Sequence, residues 1–441
     1  MKLHIGIDDT DSPKKGCTTY IAAILVEKFD KLGCKFIDYP NLIRLNPNIP
    51  WKTRGNGAVC IRIECNDSKI DIIKKITREI VEKYSDIEHE RTDPAIVFLK
   101  GEIPYELLCF SNKAIKDVVS FKEAMKIVEK FNIEFELLKG KRGLIGALGA
   151  IGERLEGDHT FELIAYRAPE NIGTKRKIEF ESVVNMDSKT YPFTFNNYDP
   201  ETKRILITPH GHDPILYGIR GESPEVLLKA KELIKVYEKI ERWTIFRTNQ
   251  GTDAHLSKVK CISMIKPFRP VIVNGIVSSY PKTLKGGHVI FTISDNTGKI
   301  NCAAYEPTGG FREIIKKLIV GDLIEVYGGV RKASKKYPRT INLEKINIIK
   351  LSDLYVLKNP SCPKCGKRME SAGKNQGFRC KKCKVHLKDG EKIKVKIDRE
   401  IKEGLYLPPP RAHRHLTKPL IRYGKEKSFF TYSLIENWHY P

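Results

Sequence analysis

Three aspartates crowd together near the amino terminus in Ile5-Gly6-Ile7-Asp8-Asp9-Thr10-Asp11-Ser12, and Gly16-Cys17-Thr18-Thr19 lies a few residues on. Carboxylates this close repel one another unless a cation sits among them, and hard oxygen ligands suit Mg²⁺ carrying nucleotide phosphates. Leu3, Ile5 and Ile7 alternate as a buried strand would, and from Tyr20 onward Ile21, Ile24, Leu25, Phe29 and Leu32 recur at helical spacing. The acids therefore belong to a strand-to-helix loop. Thr18 and Thr19 stand where the helix begins, so their hydroxyls and the free N–H groups face phosphate oxygens. Asp8, Asp9 and Asp11 are the expected Mg²⁺-holding catalytic acids, with Thr10, Ser12 and Thr19 toward the nucleotide. In the plainer reading Asp11 and Ser12 stabilise a turn, and Thr18 or Thr19 only caps the helix. A cap needs one acid, whereas this loop has three.

Other stretches carry side chains of the same kind. Trp51-Lys52-Thr53-Arg54-Gly55-Asn56-Gly57 joins two predicted strands, Lys35 to Leu45 and Ala58 to Cys65. Gly55 and Gly57 around Asn56 permit a tight turn and close backbone approach, and Arg54 offers a donor fork to phosphate. A plain hairpin turn explains the same residues. Between Lys139 and Gly152, Gly143 and Gly146 either bring backbone against phosphate or let a helix pack on the sheet. In Pro209-His210-Gly211-His212-Asp213-Pro214 and Gly218-Ile219-Arg220-Gly221, Gly and Pro hold the backbone while reactive side chains project, as a substrate loop is often built. His210, Gly211, His212, Asp213 and Arg220 are its expected contacts. Two loop histidines without a third ligand make a poor zinc site.

The strongest local signal is Cys362-Pro363-Lys364-Cys365, then fourteen residues, then Cys380-Lys381-Lys382-Cys383. Two such knuckles place four thiolates tetrahedrally around Zn²⁺ with no open position, so the expected metal is structural. Iron held in the rubredoxin manner is the lesser alternative.

The elements that must position these groups form several units. At 441 residues the chain exceeds one ordinary core, and a charge of +24 attracts a polyanion. No long apolar segment or leader is visible, so the expected polyanion is nucleic acid rather than membrane. Eleven scattered and clustered cysteines fit a reducing cytoplasm with one metal site better than a disulfide framework. We expect a multidomain α+β chain. Residues 1–152 form a kinase-like α/β, ATP-binding domain and 153–258 a ferredoxin-like domain, with strands at Phe161 to Arg167, Arg176 to Val184, Arg204 to Thr208 and Trp243 to Arg247. Residues 259–355 form an OB-fold β-barrel of five strands with one interrupting helix. Residues 356–390 form the Cys₄ zinc ribbon and 391–441 a basic extension. From Asn359 onward, 20 Lys or Arg stand against 8 Asp or Glu. Pro408-Pro409-Pro410-Arg411-Ala412-His413-Arg414-His415 should present basic residues on a stiff segment. Tyr423, Phe429, Phe430, Tyr432 and Trp438 either stack on bases or anchor the tail to the body.

Taken in order, the acidic loop with Cys17-Thr18-Thr19-Tyr20, the Arg54-Gly55-Asn56-Gly57 turn, the Pro209 to Pro214 loop with Gly218 to Gly221, and the OB plus Cys₄ tail resemble one family over essentially the whole chain. It is the archaeal 2-agmatinylcytidine synthetase family, which acts on the minor, AUA-decoding isoleucine tRNA. The resemblance implies an ATP-dependent carbon–nitrogen ligase that joins agmatine to C2 of the wobble cytidine in a CAU anticodon. It implies release of AMP and pyrophosphate, with the C2 oxygen activated as a phosphoryl ester before the amine displaces it. It places Mg-ATP on Asp8, Asp9 and Asp11, a self-phosphorylated threonine at Thr18, and agmatine and tRNA as partners. Asp213 or His212 would take a proton from the amine. A non-catalytic OB-fold and zinc-ribbon RNA- or single-strand-binding protein would leave the acidic loop idle; a different RNA-directed phosphoryl transferase would use it.

Overall fold

The computed structural model describes residues 1–428 and 433–441, so Phe429, Phe430 and Tyr432, named above as base-stacking or anchoring aromatics, lie outside the described residues. The opening strand Lys2–Asp8 buries Leu3, Ile5 and Ile7 completely. It runs antiparallel between Gly57–Glu64 and Ala95–Lys100, with Ile5 opposite Ile61 on one side and Phe98 on the other. The acidic loop thus leaves the interior of a sheet rather than its edge.

That sheet has eleven strands and passes through both amino-terminal units. Gly57–Glu64 pairs with Asn41–Arg44, which pairs in parallel with Ile240–Thr248 through Asn41–Arg247 and Leu42–Thr248. Asn249 extends the junction: its side chain accepts from the Arg44 N–H at 2.8 Å and donates to the Arg44 carbonyl at 2.9 Å. Thr160–Arg167, Ile215–Gly221 and Thr194–Phe195 continue beyond. The kinase-like and ferredoxin-like parts are therefore two halves of one β-layer.

Helices cover it in two cores. Thr18–Lys31 and Ile70–Tyr84 share one core with Phe180–Thr190 and Pro224–Leu233. Tyr105–Lys116, Phe121–Phe131 and Gly143–Gly152 build the other. The Ser120–Glu123 capping box starts Phe121–Phe131, and left-handed Asn132 ends it.

Three sequence-based expectations need correction. Lys35 to Leu45 is not one strand but two, Lys35–Phe36 and Asn41–Arg44, broken where Pro40 interrupts the run. Arg176 to Val184 is not a strand; helix Phe180–Thr190 occupies this region and buries Ser182, Val183, Met186 and Thr190. The Val183-Val184 pair favours a strand locally, but Val183 and Met186 fill the same core as Leu227 and Ala230, and packing prevails. Arg204 to Thr208 shrinks to Arg204–Ile205, paired with Tyr198–Asp199.

Strands Val271–Val277, Val289–Asp295, Gly298–Ala304, Leu323–Arg331 and Thr340–Lys350 form the barrel. It closes where the first two strands pair through Val277–Ile293, and its third and fifth run parallel through Cys302–Ile341. With helix Phe311–Lys316 between the third and fourth strands, this is the OB arrangement. The ribbon is a three-stranded sheet over a small core of Cys362, Met369, Phe378 and Cys380.

The basic tail is not a free presentation of cations. Gly404–Tyr406 pairs with the last barrel strand, and His439–Tyr440 pairs with Ile240–Thr248. Arg411 bonds Asp199 at 2.6 Å and Arg414 bonds Asn48 at 2.8 Å. Arg422 is fully buried on Asp158 and Glu222, and Trp438 packs edge-on against Phe36 and Tyr39. Anchoring, rather than base stacking, is the use the structure gives Trp438. Among the described residues no helix is long and apolar enough to cross a membrane.

Candidate active site

The loop that carries the acids is held by its own short bonds. The Ser12 hydroxyl accepts from the N–H groups of Lys14 and Lys15 at 3.0 and 3.1 Å, which is the turn-forming role in the plainer reading. The Thr10 and Thr18 hydroxyls meet at 2.9 Å and tie the loop to the helix start. Asp9 is left-handed at φ 56°. Asp9 accepts from the Thr53 hydroxyl at 3.2 Å and lies 3.6 Å from Arg142. Asp11 lies 3.1 Å from Arg54 Nε. Asp8 has no ion-pair partner among the described residues and rests against Gly146.

These groups line a cleft of about 290 Å³ between the two halves of the sheet. Arg54 bridges it, since its other face lies 3.6 Å from Asp213, which Arg176 holds at 3.0 Å. Arg142 braces the opposite side through Asp93 at 2.8 Å and the Trp51 carbonyl at 2.9 Å. Arg44 Nε and Arg54 Nη2 are buried donors with no acceptor among the described residues. Arg44, Arg54 and Arg142 line the cleft together, and guanidinium groups around a cavity suit an anionic ligand.

Burial also disfavours negative charge on the acids. Burial, reinforced by the Asp9 charge, pushes the Asp8 carboxyl well above the ordinary carboxylate range. Burial lifts Asp9 to about 6 against the pull of Arg142, and it raises Asp11 despite Arg54. Asp213 is raised by burial although Arg176 and Arg54 oppose it. Cys17 is no nucleophile, because burial holds its thiol up at about 11.

Of the residues expected from the sequence, the cleft gathers Asp8, Asp9, Asp11, Thr18, Thr19, Arg54, Gly55, Asn56, Gly57, Gly146 and Asp213. Thr10 and Ser12 are buried behind the loop. Gly143 packs against the backbone of Asp93 and Ala95, which is the helix-on-sheet reading. His210, Gly211 and His212 lie outside the cleft, with His210 against Arg204. Arg220 lies on strand Ile215–Gly221 and bonds Glu162 at 3.0 Å. Sequence reasoning missed Arg44, Lys52, Asp93, Arg142, Arg176 and His415. Lys52, Arg142 and His415 lie inside stretches singled out above but were given no role there, and Arg44, Asp93 and Arg176 carry no local signal; all six gain meaning once the sheet brings distant segments together.

The three acids do not form a ready-made metal cage. Among the described residues, the four cysteines are the one group of three or more ligand side chains whose ligating atoms all lie within 4.8 Å of one another. Backbone N–H groups support them; Cys383 N–H donates to Cys380 Sγ at 3.4 Å. Four thiolate-forming sulfurs in that arrangement fit tetrahedral Zn²⁺.

An acid- and guanidinium-lined cleft beside an OB barrel and a Cys₄ ribbon defines a multidomain enzyme of nucleic-acid modification. Family models match the chain as the TiaS TCKD domain over residues 4–139, the TiaS FLD domain over 141–255, the OB-fold nucleic acid binding domain over 271–349 and the TiaS C-terminal zinc ribbon domain over 359–401. The isoleucine-tRNA 2-agmatinylcytidine synthetase TiaS of Methanocaldococcus jannaschii is 49% identical over 428 residues, covering 95% of this chain and 98% of the relative. The crystal structure of a TiaS complex with isoleucine tRNA and ATP superposes with a TM-score of 0.87 at 44% identity, covering 96% of this chain and 97% of that one. A TiaS complex with isoleucine tRNA, AMPCPP and agmatine gives 0.84 at 42% identity over the same shares. The chain belongs to the isoleucine-tRNA 2-agmatinylcytidine synthetase family.

Proposed function

We propose that this protein is a cytoplasmic ATP-dependent ligase that joins agmatine to C2 of the wobble cytidine of the minor isoleucine tRNA. The observation that carries the chemistry is the cleft itself, which gathers Asp8, Asp9 and Asp11 with Arg44, Arg54 and Arg142 around one cavity. The triphosphate lies between them. Asp8, which has no ion-pair partner among the described residues, with Asp9 or Asp11 beside it, would hold Mg²⁺ brought with the nucleotide, and that ion would supply charge compensation at the transferring phosphorus. Mg²⁺ needs only one or two protein carboxylates when phosphate oxygens fill the rest, so divergent acids suffice.

Converting the C2 oxygen of cytidine to a phosphate ester turns a poor leaving group into a good one; the amine then attacks C2, the C2–O bond breaks, and the oxygen departs on the phosphoryl group. Arg54 and Arg44 stabilise negative charge on the phosphoryl oxygens. Thr18 lines the same cleft and is the proposed self-phosphorylated threonine. We assign Asp213 rather than His212 to hold the cationic amine and accept its proton, since Asp213 lines the cleft and His212 does not. The anticodon base leaves its stack to enter, and unstacking costs least in a single-stranded loop. The OB barrel and ribbon hold the remaining RNA through phosphates and shape.

The test is AMP release from ATP by the full chain with the minor isoleucine tRNA and agmatine, followed by mass spectrometry of the tRNA. The expected product carries the mass of agmatine; addition of phosphate alone would mean a different RNA-directed transferase. Asp8→Asn and Asp11→Asn should lower turnover at least about a hundredfold while tRNA affinity holds. RNA binding without any ATP cleavage would leave only a binding module.

A further inference from the structure

One cleft residue comes from the far end of the chain. His415 belongs to the carboxy-terminal strap, seated on the turn after strand Ile240–Thr248: Gly251 N–H donates to the His415 carbonyl and Asp253 N–H to the Leu416 carbonyl, both at 2.8 Å. Its imidazole reaches the wall of the cleft next to the Arg54 to Gly57 turn.

The ring is oriented by a chain of hydrogen bonds. Gln250 donates to Glu162, which accepts from Arg220 Nε at 3.0 Å, and Arg220 Nη2 donates to His415 Nδ1 at 3.0 Å. A guanidinium has no lone pair to offer, so Nδ1 is the acceptor and the ring proton resides on Nε2. Burial, with Arg44, Arg220 and Lys52 around the ring, disfavours a second proton. Nε2 faces the turn: a Cβ at Gly55 would lie 3.0 Å from it and 2.7 Å from Arg44 Nη1. Glycine at 55 keeps that edge of the ring open. No protein acceptor meets His415 Nε2 among the described residues.

We infer that His415 contacts the substrate, its Nε2–H donating to a phosphate oxygen of the nucleotide bound between the acids and the Arg54 to Gly57 turn. Arg220 is its positioning residue, acting through Nδ1 and not on the nucleotide itself. The strap thereby completes the nucleotide site from the carboxy terminus, so the pocket is whole only when the tail is docked. This rests on the nucleotide reading of the cleft.

Two substitutions separate donor from filler. His415→Asn retains a polar atom near Nδ1, within reach of Arg220, but does not extend to the Nε2 position; His415→Gln does. Binding of Mg·AMPCPP to the full chain, by calorimetry, should weaken about tenfold or more in His415→Asn, the worth of a hydrogen bond to a charged group. His415→Gln should recover most of the lost affinity. Arg220→Gln should give an intermediate loss. Equal affinities for the Asn and Gln variants, or a loss of tRNA affinity in place of AMPCPP affinity, would overturn the assignment. A wild-type chain that binds the minor isoleucine tRNA but not Mg·AMPCPP would instead overturn the nucleotide reading, and this one with it.

Discussion

The Asp8 carboxylate occupies the space in which a side chain at residue 146 would begin, so the end of the opening strand and helix Gly143–Gly152 fit together only with glycine at 146. Gly6, one turn of the pleat earlier, meets the Ala147 carbonyl in the same manner. Small residues in this helix therefore set how close the acid-bearing strand comes to it.

Gly146→Ala should cost about 1–3 kcal/mol in urea denaturation, the usual penalty for overpacking, and should lower AMP release by at least about tenfold because Asp8 must swing aside. In Gly146→Ala combined with Asp8→Gly, stability should return while activity does not. A Gly146→Ala protein that matches wild type in both measurements would mean that Asp8 points elsewhere.

The same helix shows what could be read beforehand. Leu3, Ile5 and Ile7 announced a buried strand, the Cys₄ spacing announced its metal, and five strands with one interrupting helix in residues 259–355 announced the barrel, because each signal is local. The shared sheet was not legible: the pairing of Asn41 with Arg247 joins segments that carry no mark of one another. The cleft inherits that limit. Arg142 and His415 gain meaning only from Asp9 and Gly55, which lie far away in the chain. Helix Phe180–Thr190 misled for a different reason, since its β-branched pair favours a strand until the core claims Val183 and Met186.

Asp9 yields a pH prediction whose sign can be worked out. Its folded value of about 6 lies above the ordinary 3.8, so the native, ligand-free protein holds a proton that the unfolded chain releases. Stability from this group is complete below pH ~4 and is lost as pH rises through ~6. Asp9→Asn should therefore match wild type near pH 4 and exceed it at pH 7, by on the order of 1–3 kcal/mol, in the absence of nucleotide. Mg·ATP should narrow the gap by stabilising wild type more. A variant less stable than wild type at pH 7 would show that Arg142 and Thr53 outweigh desolvation.

The ribbon core consists of Cys362, Met369, Phe378 and Cys380, too little apolar surface to fold alone. Strong chelators should release one equivalent of zinc per chain and expose residues 359–390 to proteolysis, while the large sheet stays protected. The salt dependence of tRNA binding should become shallower at the same time. Proteolysis of the ribbon that proceeds at the same rate with and without zinc would refute a structural metal.

Arg422 decides what the basic tail is for. Its side chain is 1% exposed, 2.8 Å from Asp158, 2.6 Å from Glu222 and 2.6 Å from the Gly251 carbonyl, and Lys427 reaches Glu222 at 2.9 Å. A buried, doubly paired guanidinium cannot also serve an RNA phosphate without unfolding its surroundings. Arg422→Met leaves two half-compensated buried acids, so it should cost about 3–5 kcal/mol in urea denaturation and loosen the strap that carries His415. The number of counterions released on tRNA binding should not change. If instead stability were unaffected and the slope of log affinity against log salt fell by about one, Arg422 would be an RNA contact. By this argument, ending the chain before Asn359 would remove a structural strap together with the ribbon, and the resulting loss of RNA binding could not be credited to either. Deleting residues 359–390 alone leaves Arg422 and His415 in place, keeps Arg399 on Asp322 and Ile401 in the barrel core, and should weaken tRNA binding while AMPCPP affinity persists.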